Sequence, residues 1–452
     1  MQRYKAIIIA VAAVVLIAAA ANALGSRGGN DVYSNDGKIN LVSGLEGVGT
    51  GFYYDPFAVD KSDLLVLNDD GSFKTRQNAE GYDVVIFNPK GWEGLVFGIP
   101  SVGSIQYYQL KSIVEDFLDD PSWTDGSTTD LKLVASEHPG KGEVGYIVTG
   151  GAAASIKDYQ KSFGLKIGVT WDPQFSALTL GDGAVYSYLV TTDMIFPHVT
   201  CCVLYGNSAY IHNNADASAR LVWAAKNATD WLNAVFDDIQ KNGYDPEDER
   251  HAALMEYAIK YSGGKASGLT PEQILNSLKY IEYSWGDGDM YEEWDPENPL
   301  TKVKTDIANQ TDTLYEVGGI MKKDLKDLGF DSSAEFAGSF VYDEPLKKAI
   351  DTEKWDTGET YSIRISAIAS DIHQIPMHLA NEKLPGLSEL LGNPDLDDDS
   401  TLYEQAGIEI SFKYANGSNQ VVNQLQSGEA DFGVAAQPAV IIYDINNGLT
   451  KA

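Results

Sequence analysis

Short β-rich runs alternate with segments of helical periodicity along most of the chain, and that alternation narrows the possible folds more than any other feature. Ile39 to Ser43, Asp83 to Phe87, Val96 to Ile99, Leu131 to Ala135 and Leu165 to Trp171 read as strands. Ser104 to Leu118 sets Ile105, Tyr108, Ile113, Val114 and Phe117 at helical spacing. Strands separated by helices favour α/β layers with largely parallel sheets, because a parallel connection has to cross a sheet face. Further on, Ala215 to Ile239 places Leu221, Ala224, Ala228, Leu232, Val235 and Ile239 on one helical face and closes at Asn242-Gly243. Thr270-Pro271-Glu272-Gln273 starts another helix, with proline in its first turn and glutamine three residues after the cap. Val303 to Leu328 is expected to be helical as well.

Asp351 to Thr360, DTEKWDTGET, reads as a linker, and the strand Tyr361 to Ile368 opens a fresh α/β unit after it. Only about ninety residues follow, fewer than a lobe with its own buried core needs. Its partner strands and helices must come from elsewhere in the chain. No internal sequence repeat supplies a duplicate.

The 452 residues are 44% hydrophobic and 22% charged, which suits packed cores and excludes general disorder. Asp and Glu outnumber Lys and Arg by 65 to 33, for a net charge of −32. Such a surface repels phosphate backbones and excludes nucleic acid as a partner. The two cysteines, Cys201 and Cys202, are adjacent and the six histidines are scattered, so zinc-type spacing is missing. Neither a metal nor a cofactor is expected. Adjacent cysteines in a strand face opposite sides, so at least one should be buried as a small hydrophobe.

At the N-terminus, Arg3 and Lys5 precede an apolar run from Ala6 to Ala21, and Ala21-Asn22-Ala23 suits signal peptidase. Residues 1–23 therefore read as a signal peptide or, uncleaved, as a membrane anchor, with 24–37 as a tether. No cysteine follows the run to carry a lipid. Either way the body of the protein is expected outside the cytoplasm.

Several strand ends and helix starts carry small or polar residues. Gly98 to Gln106 runs from a strand through a turn into a helix, bringing Ser101, Gly103, Ser104 and Gln106 where an anion would meet backbone N–H groups. Asn416-Gly417-Ser418 opens a second helix in the same manner, and Gln437 follows the strand Asp431 to Val434. An ordinary capped helix is the simpler explanation of either turn. Trp171 and Asp172 end a strand, the indole as core or as a cleft wall and the carboxylate as a receptor for an amine; His373-Gln374 end another, where a lone histidine reads as structural as readily as a ligand contact. No Ser/His/Asp or Cys/His triad can be assembled from these spacings.

SIRISAIASDIHQIPMHLANEK (Ser362 to Lys383) and GIEISFKYANGSNQVVNQLQSGEADFGVAAQPA (Gly407 to Ala439) resemble the opening strands and helices of ABC-transporter substrate-binding proteins for nitrate, sulfonates, taurine and thiamine precursors. KINLVSGLEGVGTGF (Lys38 to Phe52), NPKGWEGLVFGIPSVGSIQ (Asn88 to Gln106), Gly164 to Pro173 and Pro197 to Tyr205 resemble the pieces that follow in that family. Asp172 stands where the family more often has glutamate. The resemblance implies a periplasmic-binding-protein type II fold of two α/β lobes around a cleft, in circularly permuted order. Lobe 1 would comprise 38–85, 197–350 and 361–452, lobe 2 would be 88–196, and 351–360 would be the permutation linker. His373, Gln374, Asn416, Gly417, Ser418 and Gln437 would face Ser101, Gly103, Ser104, Gln106, Trp171 and Asp172 across the cleft.

The expected function is capture of a small anionic or zwitterionic solute, sulfonate- or taurine-like, nitrate-like or pyrimidine-like, for delivery to an ABC permease and its ATPase. Two alternatives stay open: a pyrimidine-precursor biosynthesis enzyme of the same fold family, and a membrane-anchored sensor domain. The enzyme fits poorly, since its family relative carries a cysteine-rich motif and this chain has only Cys201-Cys202.

Overall fold

The computed structural model describes residues 38–447 apart from 79–80, 198, 265–267, 287–294, 296, 317 and 321–324. The expected signal or anchor and its tether lie outside the described residues. Among those described, no helix is long and apolar enough to cross a membrane.

The chain is a mixed α/β protein. Its strands are β1 (Ile39–Gly44), β2 (Glu46–Val48), β3 (Thr50–Tyr54), β4 (Thr75–Gln77), β5 (Asp83–Val85), β6 (Val96–Ile99), β7 (Lys132–Val134) and β8 (Glu143–Val148). They continue with β9 (Ile167–Trp171), β10 (Ser187–Thr191), β11 (Cys202–Asn207), β12 (Ile281–Tyr283), β13 (Tyr361–Ile368), β14 (Ile408–Ala415) and β15 (Phe432–Ala436). One sheet has the order β1-β11-β15-β13-β14 and another β10-β3-β9-β6-β8-β7. In the first, β14, β13 and β15 are parallel, while β11 runs antiparallel to both β15 and β1. In the second, β8, β6 and β9 are parallel, while β3 runs antiparallel to both β9 and β10. The two sheets thus share one pattern that no sequence repeat announces.

Each antiparallel strand is delivered by a crossover from the other sheet. β1 leads through β2 into β3, and β10 leads through residues 192–201 into β11. The crossovers touch: Val48 N donates to Val199 O at 3.1 Å and Cys201 N donates to Glu46 O at 3.0 Å. The first crossover corrects the expected lobe boundary, because β3 belongs to the second sheet and the segment after it, with its own two-stranded β4-β5 sheet, packs against that sheet. Val59, Leu64, Leu65, Val85 and Phe87 share a core with Phe97 and Val169. Lobe 1 therefore pauses near Gly49, well before residue 85. A continuous β-rich run, Lys38 to Phe52, conceals the change of sheet.

The first lobe's core gathers Ile39, Val203, Ile363 and Val434 from its sheet with Leu221, Trp231 and Leu232 of the helix Ala215–Asn242. That helix ends where expected: Gly243, at φ 89°, donates its N–H to Ile239 O at 2.9 Å. Thr270 forms the expected reciprocal cap with Gln273. The expected helix from Val303 to Leu328 instead stops at Glu316, and among the described residues beyond it a 3-10 turn lies at Leu325–Leu328. Gly318 takes φ 70°, and the N–H groups of Gly319 and Ile320 turn back to Leu314 O, which closes the helix.

The segment 351–360 is pinned rather than loose. Trp223 Nε1 donates to Thr352 O, Arg220 donates to Asp356 O, and Trp355 lies under the Arg220 guanidinium.

Candidate functional site

A cavity of about 400 Å³ opens where the two sheets and both crossovers meet. A larger depression along the helix Thr301–Glu316 is lined from the first lobe alone, away from strand ends. The interlobe cavity has the chemistry of a site because strand C-termini and helix N-termini converge on it.

From the second lobe, β6 ends at Ile99 and Pro100 to Ser104 turn into the helix Ile105–Glu115. Ser104 Oγ accepts from Tyr107 N at 3.2 Å and donates to Ser101 O at 2.9 Å. Its hydroxyl is thereby committed to the cap, and the helix offers its first-turn N–H groups instead. Gln106 Nε2 donates to Thr50 Oγ1 at 3.2 Å, tying the helix to the start of β3. Trp171, at the end of β9, packs on Gly151, whose φ is 77° and where a Cβ would lie 2.1 Å from the indole. Only glycine fits that close approach.

From the first lobe, Asn416 to Ser418 open the helix Ser418–Gln426. Ser418 Oγ accepts from Ala436 N at 3.1 Å, and Asn416 N donates to Gln420 Oε1 at 2.9 Å. A Cβ on Gly103 would lie 3.7 Å from Asn419 Nδ2. The two helix starts therefore face each other across the cavity.

His373 forms the clasp between the lobes. Nδ1 lies 2.8 Å from Asp371 Oδ1 and Nε2 lies 3.0 Å from Gly49 O. A carbonyl oxygen and a carboxylate oxygen only accept, so both ring nitrogens donate and the ring is an imidazolium. Burial pushes its pKa down, but the Glu46, Asp371 and Asp172 carboxyls outweigh that and raise it to about 10. Gly49 O also accepts from Asp172 N at 3.0 Å, so one carbonyl of the first crossover joins the two lobes. Burial holds the Glu46 carboxyl well above the usual range, the Cys201 charge adding to the effect. The hydrogen bond with Cys201, followed by burial, holds the Cys202 thiol high as well.

Of the expected site residues, Ser101, Gly103, Ser104, Gln106, Trp171, His373, Asn416, Gly417 and Ser418 line the cavity. Asp172, Gln374 and Gln437 do not. Asp172 is fully buried and turned toward two helices: its Oδ1 accepts from Ser176 N at 3.1 Å, Ser176 Oγ at 2.5 Å and Ser277 Oγ at 3.0 Å. This geometry makes it an internal brace, which corrects its expected placement on the cleft wall. Gln374 accepts from Ile368 N at 2.8 Å and donates to Asp371 Oδ2 at 3.2 Å, bracing the loop that carries His373. Gln437 is fully buried, and neither of its amide atoms has a hydrogen-bond partner among the described residues.

Sequence reasoning missed Asp371, Asn419 and Glu46, and it singled out Cys201 and Cys202 without placing them in the site. Both cysteines line the cavity, both are buried, and their sulfurs are 3.9 Å apart. No lysine or arginine lines it among the described residues. Comparison with protein-family models, with characterised proteins and with solved structures gives no match.

Proposed function

We propose that the protein is an extracytoplasmic solute-binding protein that holds a small anionic or zwitterionic solute in the interlobe cavity and delivers it to an ABC permease and its ATPase. The observation that carries the reading is a cavity lined by helix starts from both lobes at the point where two crossovers join them. Such a pair of connections suits hinge closure over a ligand.

The shared strand pattern supports a circularly permuted periplasmic-binding-protein type II fold. When the chain is read from β13 through β15 and then from β1, both sheets place the second strand at one side, then the first, the third, the antiparallel strand and the fourth. β7 alone extends the second sheet beyond that pattern. Residues 1–23 would export or anchor the chain.

An anionic head group would be held by the first-turn N–H groups at Ile105-Gln106 and Ser418-Asn419, with the His373 imidazolium nearby. Local donors of this kind act at hydrogen-bond range, while the charge of −32 is spread over the solvated surface. The test is a thermal-shift screen of the purified chain against taurine, an alkyl sulfonate, nitrate and a pyrimidine, followed by calorimetry. A solute at 100 times its dissociation constant adds about 2.7 kcal/mol of stability. Absence of binding by all four classes would overturn the proposal.

A further inference from the structure

We propose that Glu46, Cys201 and Cys202 form a site for one thiophilic divalent cation, Zn²⁺ or Cd²⁺, with an open coordination position facing the interlobe cavity. The residues come from different crossovers: Glu46 lies in β2, and the cysteines lie where the second crossover enters β11. One donor atom from each lies within 4.8 Å of the others. That convergence overrides the spacing argument from sequence, since the third donor is supplied by a distant strand.

The sulfur separation selects the kind of ion. Two metal–sulfur bonds of about 2.3 Å at a tetrahedral angle set their sulfurs about 3.8 Å apart, whereas a linear arrangement needs about 4.6 Å. The observed 3.9 Å matches the tetrahedral case. A disulfide would require the sulfurs to approach to about 2.05 Å.

The carboxylate supplies an independent indication. Glu46 Oε1 accepts from Cys202 N at 2.9 Å, while Oε2 is buried without a hydrogen-bond partner among the described residues. A buried carboxyl oxygen without a donor is costly, and a metal ion would satisfy it. Both ring nitrogens of His373 are already committed, to Asp371 and to Gly49 O. His373 is thus a neighbour of the ion and not a ligand.

Three protein donors leave a fourth position, as in open zinc sites. Both cysteines line the cavity, so an ion and a further ligand can reach them. As each metal–sulfur bond forms, the thiol proton leaves to solvent. The two protons lost offset the charge of the ion, so what the ion would offer an anionic solute is its open coordination position. That consequence rests on the solute-binding reading, whereas the metal site does not.

The experiment titrates Cd²⁺ into the full chain, reduced with a phosphine and free of solute. The expected result is an ultraviolet thiolate-to-cadmium charge-transfer band that saturates at one ion per chain, accompanied by a higher unfolding temperature. Zn²⁺ should slow the reaction of the two thiols with a thiol reagent. E46Q should weaken the ion at least tenfold, and C201S should remove most of the band. No band and no stabilisation in the wild type overturns the proposal, as does a folded E46Q that binds with unchanged affinity. If E46Q does not fold, the wild-type titration and the thiol protection decide it. Repeating the solute screen with and without Zn²⁺ separates failure of the metal site from failure of the solute-binding reading.

Discussion

Replacing Asp172 with alanine distinguishes a brace from a ligand contact. The Asp172 carboxyl is buried and receives three hydrogen bonds, two from Ser176 in the helix Gln174–Thr179 and one from Ser277 in the helix Pro271–Tyr280. Ser277 Oγ keeps a second acceptor, Gln273 O, and Ser176 Oγ keeps Asn276 as a donor. The groups stranded by the truncation are therefore the Ser176 N–H and its hydroxyl proton. Losing that helix cap and one buried hydrogen bond, offset by relief of a desolvated carboxyl, costs about 2 kcal/mol. Asp172→Asn retains an acceptor oxygen and should lose about half as much, roughly 1 kcal/mol. Urea unfolding measures both, and a lower midpoint with an unchanged slope is the expected signature. Any solute found to bind should keep its affinity for both variants once they are folded. An alanine variant as stable as the wild type, or one that is stable and loses only amine-bearing solutes, would refute the brace and return Asp172 to the ligand.

Three further outcomes are expected. Gly151→Ala combines a positive φ with a Cβ 2.1 Å from the Trp171 ring, so thermal melts should show a loss of about 2–4 kcal/mol, and near-ultraviolet dichroism should report the displaced indole. Arg220→Ala removes the donors to Ala406 O and Asp356 O and the cation above Trp355; denaturant unfolding should show a loss of about 3 kcal/mol, whereas equal stability would mean the 351–360 segment is not held by this residue. His378 is stacked on Tyr261, and burial lowers its pKa from 6.5 to about 4. Between those values the unfolded chain binds the proton and the folded chain does not, so stability falls as pH drops through the window, by up to about 3 kcal/mol. Urea midpoints from pH 7 to pH 4 should therefore fall less steeply in His378→Phe, and matching slopes would contradict the assignment.

Local features were legible in the sequence where local physics decides them. β13 falls on Tyr361–Ile368, Thr270 caps its helix with Gln273, and Gly243 ends the long helix, because pattern, cap chemistry and positive φ act over a few residues. Most of the expected cavity residues sit at strand ends and helix starts, which local pattern marks, but that they would meet was implied by the family resemblance alone. The misses have a common cause. Nothing in Lys38 to Phe52 marks Gly49 as the point where the chain leaves one sheet for another. Asp172 looked available because its neighbour Trp171 is on the wall, and only the helix Pro271–Tyr280 packed against it shows where its carboxyl goes.

By itself, then, the sequence determined an alternating α/β chain, acidic and poor in cysteine, with a separate strand–helix unit in residues 361–452. Only the tertiary structure decided that this unit completes the first sheet, that two sheets share one strand pattern, and that the crossovers meet at a cavity. Glu46 reaches Cys202 across 156 positions and His373 reaches Gly49 across 324. Contacts at that separation depend on which strands pair and how the lobes close. No local propensity encodes them, because their free energy exists only once the sheets have assembled.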